Sequence, residues 1–279
     1  WEAQLGFSKT SLTGAYTLSL IVAAISAPFV GRFIDKGLGK FTFSFGTILA
    51  FSALFLLSQA NHIWHFYVLW FFMGIAMSCS LYEACFAFLT KTLDAGARRA
   101  ITFVTLAAGF AGTIAFPSAH FLTQFFGWRS AILIFSFVIL IVNLPLVWRT
   151  TKKLNNYSKD FSREPSKNLK KALAVLQKPV FWLIGGTFAL MSLNHGIVIS
   201  HLLPIFYDRG LDAKTAVLVA SFIGPMQVVG RLIMLASEKK ASVFLICSVS
   251  FGLMFVAGWS IYFGNKSIGL IIAFVIFQG

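Results

Sequence analysis

TSLTGAYTLSLIVAAISAPFVGRFIDKGLGK, residues 10–40, sets the pattern for the whole chain. Residues 10–31 carry no Asp, Glu, Lys or Arg. Arg32, Asp35, Lys36 and Lys40 then fall in one short turn, and a second charge-free run begins at Phe41. A helix needs about 20 apolar residues to cross the hydrocarbon of a bilayer. The stretch therefore reads as a span, a charged turn and the start of the next span. Backbone groups in lipid must be satisfied internally, so each span is expected to be helical, and the runs lack the alternation of β-barrel strands.

The same signature repeats outward. Charge-free runs cover 41–82, 100–128, 130–148, 179–207, 215–230, 241–265 and 267–279. The run 41–82 is too long for one helix and is divided at Asn61-His62-Ile63-Trp64-His65. Spans are predicted near 10–33, 42–60, 65–90, 101–126, 129–148, 180–206, 215–237 and 241–262, with Ile268 to Gly279 as part of a ninth. Hydrophobic residues make up 58% of the chain and charged residues 11%, too little charge to cover a water-soluble surface.

The net charge of +14 does not point to nucleic acid, because the basic residues lie between apolar runs and form no RNA-binding signature. With Trp1 outside, the inner segments hold 18 of the 23 Lys and Arg and the outer segments 5 (Lys9, Arg129, Arg209, Lys214 and Lys266), the bias expected of cytoplasmic loops. Residues 149–179, polar and basic as in Pro165-Ser166-Lys167-Asn168-Leu169-Lys170-Lys171, read as a cytoplasmic linker whose charges are solvated or face anionic headgroups. The domain reading is a bundle over 1–148, the linker, and part of a second bundle over 180–279. An internal repeat supports two bundles: Val22-Ala23-Ala24-Ile25 with Gly31-Arg32 and Lys40 recurs as Val219-Ala220-Ser221-Phe222 with Gly230-Arg231 and Lys239. Repeated bundles are a mark of secondary transporters.

Gly31, Asp35, Lys36, Gly37, Gly39 and Lys40 together resemble the loop signature of the major facilitator superfamily, with the last Gly-basic pair one residue late. Leu81-Tyr82-Glu83-Ala84-Cys85-Phe86-Ala87 resembles the fourth helix of some bacterial members. Gly109-Phe110-Ala111-Gly112, with Pro117 and Gly127-Trp128-Arg129, resembles the fifth helix and the turn after it. The resemblance covers the whole chain. It implies an all-α membrane fold of two six-helix bundles, with this chain spanning family helices 2 to 6, the linker, and helices 7 to 10, the last incomplete; the first helix and the last helices are expected to be missing. Gly31 is expected to permit close helix approach, and Asp35 to pair with basic groups and hold one gate state. Gly109 and Gly112 should let helices pack tightly.

Glu83 is the one acidic residue well inside a span, about 10 Å from the cytoplasmic end at 1.5 Å per residue. A carboxylate there marks a pathway, a proton relay or an ion pair. Three readings stand: pairing with Arg32, Lys36, Lys91 or Arg98 as a cytoplasmic gate (sugar-porter relatives have an acid at a similar place), titration during proton coupling, or an anchor for Tyr82. Gating or coupling is thus assigned to Glu83, Arg32, Asp35, Lys36, Lys40 and Arg98.

Substrate-binding candidates lie on three faces. Ser221, Gly224, Gln227 and Arg231 are spaced 3, 3 and 4, one stripe of a helix expected to face a central cavity. Gln227 and Arg231 stand where monocarboxylate transporters carry an Asp and an Arg, so the resemblance implies the arginine without its acidic neighbour. The alternative for Arg231 is a side chain snorkelling to the cytoplasmic surface. Asn194 and His201 share a face of the next candidate span, with His195 nearby; a histidine there either titrates or is a hydrogen-bonded interior residue. Tyr16, Ser19 and Ser26 form a similar face on the first span.

No P-loop, paired carboxylates, His-Glu metal motif or nucleophile-base pair is present, so no enzyme, metal or cofactor is expected. Cys79, Cys85 and Cys247 read as small buried hydrophobes, and no cleavable signal peptide is expected at the start. The expected function is secondary transport of a small organic anion with a proton by alternating access. The alternatives are export of amphipathic or drug-like compounds, or a non-transporting sensor on the same fold. The expected partners are the solute and the bilayer, with the chain monomeric in the cell's inner (plasma) membrane. Single cysteines placed at 149–179 are expected to resist an impermeant thiol reagent on intact cells, while those at 61–65 and 263–267 are labelled; the reverse pattern would invert the topology.

Overall fold

The computed structural model describes residues 5–93, 96–158, 177–237, 241–264 and 267–278. The regular elements among them are helices: α1 (Lys9–Asp35), α2 (Gly39–Leu57), α3 (Ile63–Ser80), α4 (Tyr82–Leu93), α5 (Ala97–Gly109), α6 (Ala111–Val138), a π-helical turn (Ile139–Asn143), α7 (Leu144–Ser158), α8 (Pro179–Asp208), α9 (Ala213–Ser221), α10 (Ile223–Ser237), α11 (Val243–Phe263) and α12 (Ile268–Gln278). Most of the linker, together with Lys239 and Lys240, lies outside the described residues.

The expected spans reappear, but three of them are each built from two helices. The breaks fall at Leu81, whose backbone is extended, at Phe110 and at Phe222. The charge-free runs continue across Phe110 and Phe222 and give no sign of those breaks, while the break at Leu81 falls just before Glu83. The opposite happens over Ala97–Leu154, a 58-residue helical stretch. At about 1.5 Å per residue it is far longer than the ~30 Å hydrocarbon layer, so it must cross twice. It kinks at Gly127, with φ 77° and ψ 160°, a backbone region open in practice only to glycine.

Contacts divide the chain into two compact units, Trp1–Thr102 with Phe121–Pro165, and Phe103–His120 with Ser166–Gly279. In the first unit α1, α2 and α3 alternate in direction, and two buried clusters record this. Ala15 near the start of α1 meets Leu57 and Ala60 past the end of α2 and Phe66 near the start of α3. Val30 and Ile34 near the end of α1 meet Phe43, Cys79, Ala84 and Phe88. In the second unit Leu202 and Phe206 of α8 pack with Ala216, Ala220, Ile223, Ala257 and Phe274. Asp212 caps α9; hydrogen bonds from the Thr215 side chain and backbone hold its carboxyl below the usual range.

Outside these clusters the chain is apolar and open. Leu183 is 70% exposed and Ile141 67%. A continuous apolar exterior of this kind is unfavourable in water and costs nothing against lipid tails.

Gly31, expected to allow a close helix approach, has no heavy atom within 4 Å of its Cβ position. The close approach in the first unit falls instead at Gly74 of α3, where a Cβ would lie 2.4 Å from the Ser19 carbonyl oxygen of α1 and 2.9 Å from Val22 Cβ. Backbone and Cβ atoms cannot yield as a flexible side-chain end does. Gly74→Ala is therefore expected to cost about 1–3 kcal/mol and to lower the melting temperature in detergent. Gly186→Ala, in open space on α8, is expected to leave melting unchanged or raise it. Equal melting of the two variants would refute the tight α1–α3 seam.

Candidate functional site

The charged turn after α1 is built around a helix end. Lys36 is the C-cap, Gly37 takes φ 84°, and the Gly37 and Leu38 amides donate to the carbonyls of Ile34 and Phe33. This is a Schellman closure, which needs a residue tolerant of positive φ. Lys91 of α4 adds to this closure, its ammonium donating to Ile34 O at 2.8 Å and Asp35 O at 2.6 Å. A cation at a helix C-terminus also meets the negative end of the helix dipole.

The gating candidates Arg32, Asp35, Lys36 and Lys40 gather at this turn. Asp35 and Lys36 are exposed. The Arg32 guanidinium lies 5.9 Å from the centre of the Phe29 ring, and the Lys40 ammonium sits 3.6 Å over the Trp148 ring, a cation–π contact. Arg98 is exposed in the first turn of α5.

Glu83 is not drawn into this group. It lies in the first turn of α4, just past the break at Leu81, exposed and with no hydrogen bond or ion pair to a described residue. Lys91, one of its expected partners, is held by the end of α1 instead. What Glu83 gains is position: the N-terminal end of a helix favours negative charge.

The substrate-binding candidates separate. Ser19 is fully buried at the α1–α3 seam, its hydroxyl donating to Tyr16 O at 2.6 Å. Tyr16 packs edge-on to Trp70 at 5.6 Å. Asn194 is exposed and lines a groove of about 790 Å³ with Met191 of α8 and Phe251, Phe255 and Trp259 of α11. His201, Gln227 and Arg231 are half-buried and do not line it.

The stripe on α9 and α10 was expected to face a cavity. Much of it faces residues 105–113 of the same unit. The Thr113 hydroxyl donates to Ser221 O at 3.1 Å. A Cβ on Gly224 would lie 2.2 Å from Thr113 Oγ1 and 2.7 Å from Gly109 O, and one on Gly109 would lie 2.7 Å from Val228 Cγ2. Gly109 thus serves the tight packing expected of it, while a Cβ on Gly112 would meet the ring of Phe116 on its own helix at ordinary contact distance. Arg231 closes the seam, donating from Nη1 to the Thr105 carbonyl.

Sequence reasoning named Lys91 only as a partner for Glu83 and missed its capping role. Thr105 gave no signal, because any residue has a carbonyl. Arg129 did give one, a lone charge between two charge-free runs. It donates to Ser58 O at 2.9 Å, Ala60 O at 3.2 Å and Asn61 Oδ1 at 2.7 Å, closing the end of α2.

Long apolar helices joined by charged turns define a multi-pass α-helical membrane protein. The chain matches the Major Facilitator Superfamily along residues 1–279; it belongs to that family and is a membrane transporter. No curated protein matches it.

Because Glu83 holds no partner among the described residues, Glu83→Gln is expected to leave stability within about 0.5 kcal/mol while abolishing or uncoupling net transport. Melting and uptake of the same purified variant check this. A large loss of stability would make Glu83 a structural residue, and wild-type uptake would remove it from the coupling path.

Proposed function

We propose that this transporter moves a small organic anion by alternating access, together with a proton. The spans in 1–148 and 180–279 act as two bundles joined by the cytoplasmic linker 149–179, and the protein works as a monomer in the plasma membrane. Arg231 supplies the positive charge for the anion, and Glu83 is the coupling residue.

The observation that supports this best is where the Arg231 guanidinium goes. An arginine that merely snorkels reaches for the line of interfacial charges. Arg231 instead donates to Thr105 O, six residues beyond Arg99 and so about 9 Å along α5 from the charged end of that helix. A guanidinium held within a span, with four further N–H donors, suits a carboxylate that it grips with two hydrogen bonds. Gln227 beside it offers an amide rather than a second charge, which keeps the site cationic.

The aromatic groove around Asn194 favours a second reading, export of amphipathic compounds. Uptake of a panel of small carboxylates at matched membrane levels separates the two. Arg231→Lys keeps the charge but loses the fork, and is expected to reduce carboxylate uptake partly. Arg231→Gln is expected to reduce it at least tenfold, the effect of about 1.4 kcal/mol. Equal uptake in all three proteins, or no carboxylate carried at all, would move the assignment to the exporter.

A further inference from the structure

We infer that the Thr105 carbonyl is an internal competitor for the solute: the anion takes the Arg231 guanidinium from it, and that exchange unlocks the seam between residues 105–113 and 221–231. The inference rests on the anion reading of Arg231 and adds the means by which binding is transmitted to the helices.

The seam combines close packing with hydrogen bonds to main chain. At its centre Gly109 and Gly224 bring the two segments together, with Val228 beside Gly109, while Phe116 packs against the cluster that holds Ala220 and Ile223. Small residues at such a crossing let the backbones approach closely. Hydrogen bonds to main-chain carbonyls cross it, Thr113 Oγ1 to Ser221 O and Arg231 Nη1 to Thr105 O. The arginine bond is the charge-assisted and therefore the stronger one. It lies at the cytoplasmic side of the crossing, one turn below Gly109.

Both facing segments are also interrupted beside the crossing. Helix α5 ends at Gly109 and α6 begins at Ala111; α9 ends at Ser221 and α10 begins at Ile223. The amides at the breaks bond three residues back, Phe110 to Ala107 O and Phe222 to Val219 O, where an unbroken α-helix would bond four back. Each segment can bend there without losing a full turn of backbone bonds. A carboxylate is a far better acceptor for a guanidinium than an amide carbonyl, since both partners are ionised. Its arrival takes the arginine from Thr105 O and so removes a directional bond from the seam. A ligand shifts a conformational equilibrium only by its differential affinity for the two states, and the exchanged hydrogen bond supplies that difference.

The side chain of Ser221 is 9% exposed in the seam, and cysteine there is nearly isosteric. The test uses full-length protein carrying Ser221→Cys, with Cys85 and Cys247 replaced by Ser and the buried Cys79 of the first unit retained as an internal reference. Alkylation by N-ethylmaleimide is followed by mass spectrometry, with lactate, acetate and succinate as the added anions. We expect slow alkylation of position 221 without anion and an increase of at least fivefold with saturating anion, Cys79 remaining unchanged. Adding Arg231→Gln should make position 221 react fast from the start, with no further effect of anion.

If anion uptake depends on Arg231 but alkylation at 221 is the same with and without anion, the coupling inference is overturned and the anion site stands. If none of the three anions is carried and none changes alkylation, both fall together. A rise at Cys79 equal to that at 221 on adding anion would mean general loosening and would also overturn the inference. The anion arm needs no change at Arg231, so it holds even where Arg231→Gln fails to fold.

Discussion

Hydrocarbon offers no hydrogen-bond partner, so every backbone carbonyl that leaves a helix inside or at the edge of the bilayer must be met by the protein itself. The interior of each span solves this by being helical. The difficulty is concentrated where helices end or break, because each end leaves up to four carbonyls unpaired. Basic side chains meet them. Lys91 takes the last carbonyls of α1, Arg129 those that follow α2, Arg209 the Tyr262 carbonyl near the end of α11, and Arg231 the Thr105 carbonyl near the end of α5. The acceptor in each case is main chain, and the negative end of a helix dipole adds to the attraction.

This explains which parts of the molecule were legible in the sequence. Spans were legible because a charge-free run of about 20 residues has few other uses. The turn at Gly127 was legible from the Gly-Trp-Arg that follows the fifth-helix residues. The breaks at Phe110 and Phe222 were not, since they fall inside charge-free runs, and Glu83, the charge just past the break at Leu81, was read as a site residue within one span. The face shared by Ser221, Gly224 and Arg231 could be read from spacing, but its partner could not. Spacing fixes which residues lie on one side of a helix and is silent about what that side meets.

The candidate site was legible in the same uneven way. A carboxylate or guanidinium inside a span is conspicuous, so Glu83 and Arg231 stood out at once. What each does with its charge depends on partners far away in sequence. Lys91 was one of four expected counterions for Glu83, with Arg32, Lys36 and Arg98, and the end of α1 holds it. Ser19 was read from its spacing as sharing a face with Tyr16; the structure packs its backbone against Gly74 of α3 and turns its hydroxyl to the Tyr16 carbonyl.

Basic residues that run against the inside bias gain a reason from the same constraint. Of the five on the side read as outer, Arg129 and Arg209 are each committed to carbonyls at a helix end that the topology also places outside, those of α2 and α11. A Lys or Arg on the side read as cytoplasmic serves two ends at once: it suits the inside bias and, as Lys91 does at the end of α1, it closes a helix. On the outer side orientation and closure oppose each other. Arg129 and Arg209 each gain main-chain acceptors there, and their cost to the expected topology is offset by the many charges on the side read as inner.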